Sequence, residues 1–414
     1  MDSQGRMEVI RELCSFEGRL AGADAERRAA DRLGERLRRM GRPAEVEPTY
    51  VHPQYGLVHA AHCALGFAGS LAAVEIPALG FGLVLLAATS MYLDLNYRLY
   101  LIRSLFFRRA SQNVLSRGSR PGAPLRLILS AHLDAARSGA VFADKRVRRA
   151  ARLQQLLGLP LGPFRLLFWS LAALLPLLGA RMAGLDADAL SLLQLPPTLV
   201  LLIGVFALVE IELSAPVPGA NDNASGVASV LGLAGELGAD PPEHLDVWVL
   251  LTGGEECLQE GMRAFLRAHA GELDRERTAF ICLDTVGHGA VRYEVAAGWV
   301  VTYEMDRRLV ELCAAIATAG GEGEGDHRAA PLRHGLGGDS LPPRLRGYRS
   351  IGITCLGEDG YVPGHHLPSD TPDRLDPAAI ERASEFTLAL IRQLDRDAGR
   401  TLQDPAPAVV EPRP

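Results

Sequence analysis

The chain has 414 residues, a formal net charge of −6 and a pI near 6.0. That balance lacks the basic stripe of a nucleic-acid binder and excludes that class. The length exceeds one small domain and suits a large α/β enzyme with insertions.

Six cysteines (Cys14, Cys63, Cys257, Cys282, Cys313 and Cys355) are scattered without a C-x-x-C pair. Reduced thiols in a cytoplasmic setting are expected rather than a disulfide framework. The opening Met-Asp-Ser-Gln-Gly-Arg lacks a basic segment followed by an apolar one, so no secretory signal peptide is expected.

In chain order, residues 24–40 form an amphipathic pattern that predicts a helix capped by Asp24 and closed by Gly41. Two apolar runs follow, Tyr55 to Val74 and Ile76 to Leu93, separated only by Glu75. Strands are expected at 113–116 and 125–130. A third apolar run, Leu153 to Ala180, is broken by Arg165 alone, and a fourth, Ala189 to Val209, is uncharged. Next come a helix at 222–237, a strand at 245–251, a helix at 262–270 and a strand at 278–283. A helix at 304–318, a strand at 351–356 and a helix at 377–394 complete the pattern. The segment 320–325 reads as a mobile loop and the tail 401–414 as disordered. Alternating strands and helices predict a three-layer α/β/α sandwich with a mixed, mainly parallel sheet.

A bilayer span needs about 17–25 apolar residues, which each run meets or nearly meets. Two inserted transmembrane helical hairpins are therefore expected, with buried hairpins in a soluble dimer as the alternative. The resulting division is 1–54, 98–152 and 214–400 as one α/β domain, with hairpins at 55–97 and 153–213 and a tail at 401–414. An even number of spans returns the chain to one side. That side carries Arg98, Arg103, Arg108, Arg109, Lys145, Arg146, Arg148, Arg149 and Arg152. The other side offers Arg181 among Glu75, Asp186 and Asp188. The positive-inside rule puts the Arg-rich side, and the α/β domain with it, in the cytoplasm.

Five short islands carry the chemistry. They are His132-Leu-Asp134, Gly219-Ala-Asn-Asp222-Asn-Ala-Ser-Gly226, Gly254-Glu255-Glu256, Leu283-Asp284-Thr285 and His366-Leu-Pro-Ser-Asp370-Thr371. Each falls at the C-terminal end of an expected strand or the start of the next helix, where ligand sites of open α/β sheets gather. Asp134, two residues after His132, can accept that imidazole's far N–H. Adjacent Glu255 and Glu256 repel each other unless a cation intervenes. One can then bind metal while the other moves a proton. Residue chemistry alone does not choose between His365 and His366.

Taken in order, these islands resemble the zinc-dependent aminopeptidase family that includes bacterial leucyl aminopeptidase and aminopeptidase Y. The resemblance covers residues 1–58, 106–140 and 216–398 and omits both apolar insertions. It implies two co-catalytic zinc ions. His132 and Asp284 would bind one, Glu256 and His366 the other, and Asp222 would bridge them. Glu255 would be the general acid/base and Asp134 the supporting carboxylate. His366 is taken over His365 on the family spacing to Asp370-Thr371. A Ser-Asp-His stretch common in the family appears here as Gly338-Asp339-Ser340. The expected function is hydrolysis of peptide substrates at a membrane, as an aminopeptidase. An amidase or cyclase on a non-peptide amide, or a silent membrane scaffold, are the alternatives.

Overall fold

A computed structural model describes residues 1–158, 162–185, 188–319, 327–358 and 360–403. The first elements are α1 (Ser3–Cys14), α2 (Asp24–Arg39), β1 (Glu45–Val51), α3 (Tyr55–Ala72) and α4 (Pro77–Leu95). Then come β2 (Arg109–Ser116), β3 (Leu125–His132), α5 (Asp144–Leu157), α6 (Pro163–Met182) and α7 (Asp188–Leu213). The remainder is α8 (Gly226–Ala239), β4 (Leu245–Thr252), α9 (Glu260–Ala268), β5 (Thr278–Leu283), β6 (Ala290–Ala297), β7 (Tyr303–Glu304), α10 (Arg307–Ala319), β8 (Ala329–Arg333), α11 (Leu341–Leu345), β9 (Arg349–Leu356) and α12 (Pro377–Gln403).

The strands form one mixed sheet in the order β1-β2-β4-β3-β5-β9-β6-β7, with β8 beside β6. Its centre, β4-β3-β5-β9, is parallel. Side chains alternate across it, as a period of two requires. Leu127 and Leu129 enter the larger core, which also takes residues of α1, α2, α8, α10 and α12. Ile128 enters the opposite core with Phe280 and with Met262, Phe265 and Leu266 of α9. Helices thus cover both faces of the sheet, as expected.

The four apolar runs build α3, α4, α6 and α7, which pack on one another around a separate apolar core of Cys63, Val84, Met91, Leu171, Leu174 and Leu201. Three of them, α4, α6 and α7, are long and apolar enough to cross a membrane. Their outward faces leave large side chains exposed, among them Leu85, Trp169, Leu193, Ile203 and Phe206.

Several local expectations shift. Asp24 is the first residue of α2 and makes no side-chain cap; Ala23 holds the cap position. The helix expected from Asp222 begins at Gly226, because Asp222 and Asn223 have non-helical backbone angles. Glu304 lies in β7, so α10 starts later, at Arg307. The third apolar run is split, with its first residues closing α5 and α6 starting at Pro163. Gly158, with φ +63°, stops α5 in the left-handed conformation that lacks a steric penalty only for glycine. The closing helix α12 reaches Gln403, three residues into the expected tail. The loop expected at 320–325 and the rest of the tail, 404–414, lie outside the described residues. Other elements had no clear sequence signal: α1, β1, α5, β6, β7, β8 and α11.

Candidate metal centre

Parallel strands that lie side by side bring their C-terminal ends to one edge. His132 ends β3, Asp284 follows β5 directly, and Glu255 and Glu256 follow β4 after Gly253-Gly254. His365 and His366 lie in the loop after β9. Asp222 arrives from the irregular turn Ala220–Ser225 that precedes α8. All six sequence-expected side chains meet there.

Asp222 is the centre of the arrangement. Its Oδ1 lies 3.1 Å from His132 Nε2, and its Oδ2 lies 3.2 Å from His366 Nε2. On the first side Asp284 Oδ1 stands 3.6 Å from His132 Nε2. On the second, Glu256 Oε2 stands 3.3 Å from His366 Nε2. Glu255 Oε2 is 3.9 Å from His132 Nε2. His365 also approaches, with Nδ1 2.9 Å from Asp222 Oδ2. Among the described residues, His366 Nε2 lies close to both Asp222 and Glu256, whereas His365 Nδ1 approaches Asp222.

Asp134 is buried beside the group, and its two oxygens accept the backbone N–H groups of Glu255 and Glu256, each at 3.1 Å. His132 Nδ1 is 3.5 Å from Asp134 Oδ1, at the outer limit of a hydrogen bond. The carboxylate therefore grips the backbone of the glutamate pair more closely than the imidazole it was expected to orient.

Residues without a strong sequence signal hold the centre in place. Asp370 accepts from the backbone N–H of Asn221 at 2.7 Å and of Asp222 at 3.1 Å. Asn223 ties the same turn to β5, donating to Leu283 O and accepting from Thr285 N. Arg19 is fully buried and donates to Leu13, Leu133, Pro218 and Gly219 carbonyls, linking α1, the end of β3 and the Asp222 turn. Gly219 has φ +64°, and a Cβ there would meet Asp222 O at 2.5 Å. Gly261 lets α9 approach Gly253, where a Cβ would come within 1.8 Å of the carbonyl. Gln259 donates to Glu255 Oε1 at 2.5 Å and to Gly337 O at 3.1 Å. Asp339, under the site, accepts from Thr252 Oγ1. The signal for Asp370 and Arg19 lay in the islands and the opening segment, but nothing in the sequence told that their partners would be backbone groups.

The protonation pattern follows from crowding of carboxylates in a buried place. Burial, together with the charges of Glu256, Asp339 and Asp284, pushes Glu255 well above the usual carboxylate range against the pull of His132. Burial and Asp222 likewise raise Glu256, against His366. Burial pushes Asp339 up to about 7 and Asp370 up to about 6. Asp222 goes the other way: burial would raise it, yet the close imidazoles of His132, His365 and His366 hold it well below the usual range.

These groups fit a cation. His132 Nε2, Glu256 Oε1 and Asp284 Oδ1 are buried without a hydrogen-bond partner among the described residues. Three sets of donor atoms each lie within 4.8 Å of one another: Asp222, His365 and His366; His132, Asp222 and Asp284; and His132, Glu255 and Glu256. Mixed imidazole and carboxylate donors are the ligand set of zinc in hydrolases.

Residues 206–391 match the model of Peptidase family M28. Fold, site and match together define a zinc metallopeptidase. Solved structures share the fold along nearly the whole chain. A Zn-dependent exopeptidase from Parabacteroides distasonis is 14% identical, with TM-score 0.53, over 94% of this chain and 98% of its own. A leucine aminopeptidase precursor from Bacteroides thetaiotaomicron is 14% identical, with TM-score 0.54, over 94% and 97%. A glutaminyl cyclase from Bacteroides thetaiotaomicron, bound to N-acetylhistamine, is 13% identical, with TM-score 0.55, over 94% and 97%. No curated protein matches the chain. The family match begins inside α7 and leaves out His132; the sheet brings that histidine to the others.

Proposed function

We propose that the chain is a membrane-inserted aminopeptidase with a pair of zinc ions. His132 and Asp284 would hold one, Glu256 and His366 the other, with Asp222 shared. One observation carries this reading: the two oxygens of Asp222 face two different histidines, at 3.1 Å and 3.2 Å. When bound, zinc supplies Lewis acidity for the scissile carbonyl and lowers the pKa of water toward neutrality.

The chain's own groups do the rest. Glu255 accepts the proton of the attacking water and returns it to the leaving amine. Gln259 holds one of its oxygens, leaving Oε2 to face the metal side chains. Asp134 keeps the backbone of both glutamates at the end of β4. Asp370 keeps Asp222 turned inward through its own backbone N–H.

A second reading, an amidase or cyclase, is favoured by one observation: solved glutaminyl cyclases are as similar in fold as the exopeptidases. Metal analysis of the detergent-purified protein with a panel of aminoacyl reporters tests both. Two zinc ions per chain with hydrolysis are expected. Zinc with silence across the whole panel would move the assignment to the second reading. Glu255→Gln is expected to lower turnover at least about 100-fold while metal content stays the same. Unchanged turnover would remove Glu255 from its role.

The membrane reading rests on topology as well as hydropathy. β1 and β2 pair antiparallel, with Val51 opposite Arg109, so the chain leaves and re-enters the sheet on one side. If α4 crosses a bilayer, α3 must cross it too, and its 18 residues span about 27 Å. That is near the thickness of a hydrocarbon core, about 30 Å. The polar groups of α3 turn inward: His62 bonds Val58 O and Ser90 Oγ. The same argument applies to α6 and α7, which lie between β3 and the Asp222 turn. We assign the hairpins as 55–97 and 163–213, the second starting at α6 rather than at 153, and the catalytic side to the cytoplasm, where the arginines gather. A reporter fused after Pro414 that is active only outside the cytosol would reverse this orientation.

A further inference from the structure

Among the described residues, helix α5, Asp144–Leu157, packs mainly on the turn Ala140–Phe142 that precedes it, and in sequence it leads from the loop beside the candidate metal centre to the start of α6. Its exposed face carries Lys145, Arg146, Arg148, Arg149 and Arg152. On the same face, in the last turns, Leu153 and Leu156 are exposed, Leu156 at 82%. The side turned inward holds Asp144, Val147, Ala151 and Gln154, four residues of half-buried character. The helix is thus basic from Lys145 to Arg152 and apolar at the end where the chain passes toward α6. Only residues 158–162 separate the two helices, a reach of at most about 20 Å.

The first turn of α5 touches the loop of the two histidines. Asp144 Oδ1 accepts from Gly364 N at 3.2 Å. Arg148 donates to Tyr361 Oη at 2.6 Å, and its guanidinium lies 5.1 Å from that ring. Phe142, just before the helix, stands edge-on to His366 with ring centres 4.5 Å apart.

We propose that α5 is a docking surface for anionic lipid headgroups. This rests on the membrane reading above. Charge complementarity and continuity with α6 select the lipid surface as occupant. Each cation near an anionic leaflet strengthens binding about fivefold, and two leucines beside the cations suit the headgroup boundary. Docking would steady the 361–366 loop through Asp144, Arg148 and Phe142.

The test is hydrogen–deuterium exchange of the full chain in nanodiscs of phosphatidylcholine alone and of phosphatidylcholine with phosphatidylglycerol. Peptides covering 144–157 and 361–366 are expected to exchange several-fold more slowly with the anionic lipid. Raised salt should abolish the difference. Lys145→Gln with Arg149→Gln should weaken it about fivefold per removed cation. Equal exchange in both discs, with α6 and α7 still shielded, would overturn the docking surface and leave the membrane reading standing. A chain that enters neither disc would overturn both. Equal protection of 144–157 by oligoglutamate in detergent would assign the face to acidic peptides instead and overturn the proposal.

Discussion

Gln259 Nε2 donates to Glu255 Oε1 at 2.5 Å, and Gln259 Oε1 in turn accepts from Tyr97 Oη, at the end of the α4 hairpin. Trp299 Nε1 donates to the same phenol at 2.9 Å. The apolar bundle is therefore wired to the candidate base through two side chains. Gln259→Leu is expected to lower kcat by about 10- to 100-fold with little change in KM, the usual cost of losing an outer partner. Tyr97→Phe should give a smaller loss in the same direction. Steady-state kinetics on a responsive reporter check both.

Asp370 offers a second, independent handle on the site. Among the described residues its carboxylate accepts from the backbone of Asn221 and Asp222 and not from a candidate ligand's side chain. Asp370→Ala leaves two buried N–H groups without acceptors and frees the turn. Zinc affinity is expected to fall about 10- to 100-fold, read by competition with a chromogenic chelator.

Arg103 is buried and donates to Asp94 of α4 and Glu260 of α9, both at 2.9 Å. His52 also faces Glu260, at 3.2 Å. Burial alone would raise the Glu260 carboxyl; the His52 hydrogen bond and the Arg103 charge hold it below its ordinary value of 4.5. A carboxyl lowered on folding stabilises above the unfolded pKa, and that stabilisation is lost as pH falls through the folded one. Glu260→Gln is expected to destabilise by about 3 kcal/mol at pH 7. It should also flatten the loss of stability below about pH 4.5. Thermal unfolding in detergent across pH measures both effects.

Removing metal should destabilise the site edge of the sheet. The carboxylates of Asp222, Glu255, Glu256 and Asp284 crowd there around two imidazoles. Free zinc at a thousandfold excess over its Kd is expected to add about 4 kcal/mol to the folded state. A chelated sample should melt several degrees lower and recover on zinc addition. Equal melting with and without zinc would count against a bound metal in the folded state.

How much of this was legible beforehand varies with the range of the forces involved. The strands 125–130, 245–251 and 278–283 are legible because each is mainly apolar, the mark of a strand covered on both faces. β1 was missed because Glu45, Glu47 and Pro48 make it an edge strand, with Tyr50 left exposed. β8, an exposed-to-half-buried strand beside β6, was missed for the same reason. The start of α8 was misread because Asp222 has the chemistry of a helix cap, while its backbone is held elsewhere by Asp370.

The sequence by itself carried the α/β alternation and the apolar runs and, through the family resemblance, offered His132, Asp222, Glu255, Glu256, Asp284 and His366 as candidates. Residue type and periodicity are local properties, and each island carries its own. Only the tertiary structure decided that Asp222 faces both histidines, that His366 rather than His365 also meets Glu256, and that Asp134 holds the glutamate backbone. Those relations depend on the lateral order β4-β3-β5-β9, which brings strand ends far apart in sequence to one edge. Strand order is set by packing and hydrogen bonding between distant segments, and no single stretch of the chain encodes it.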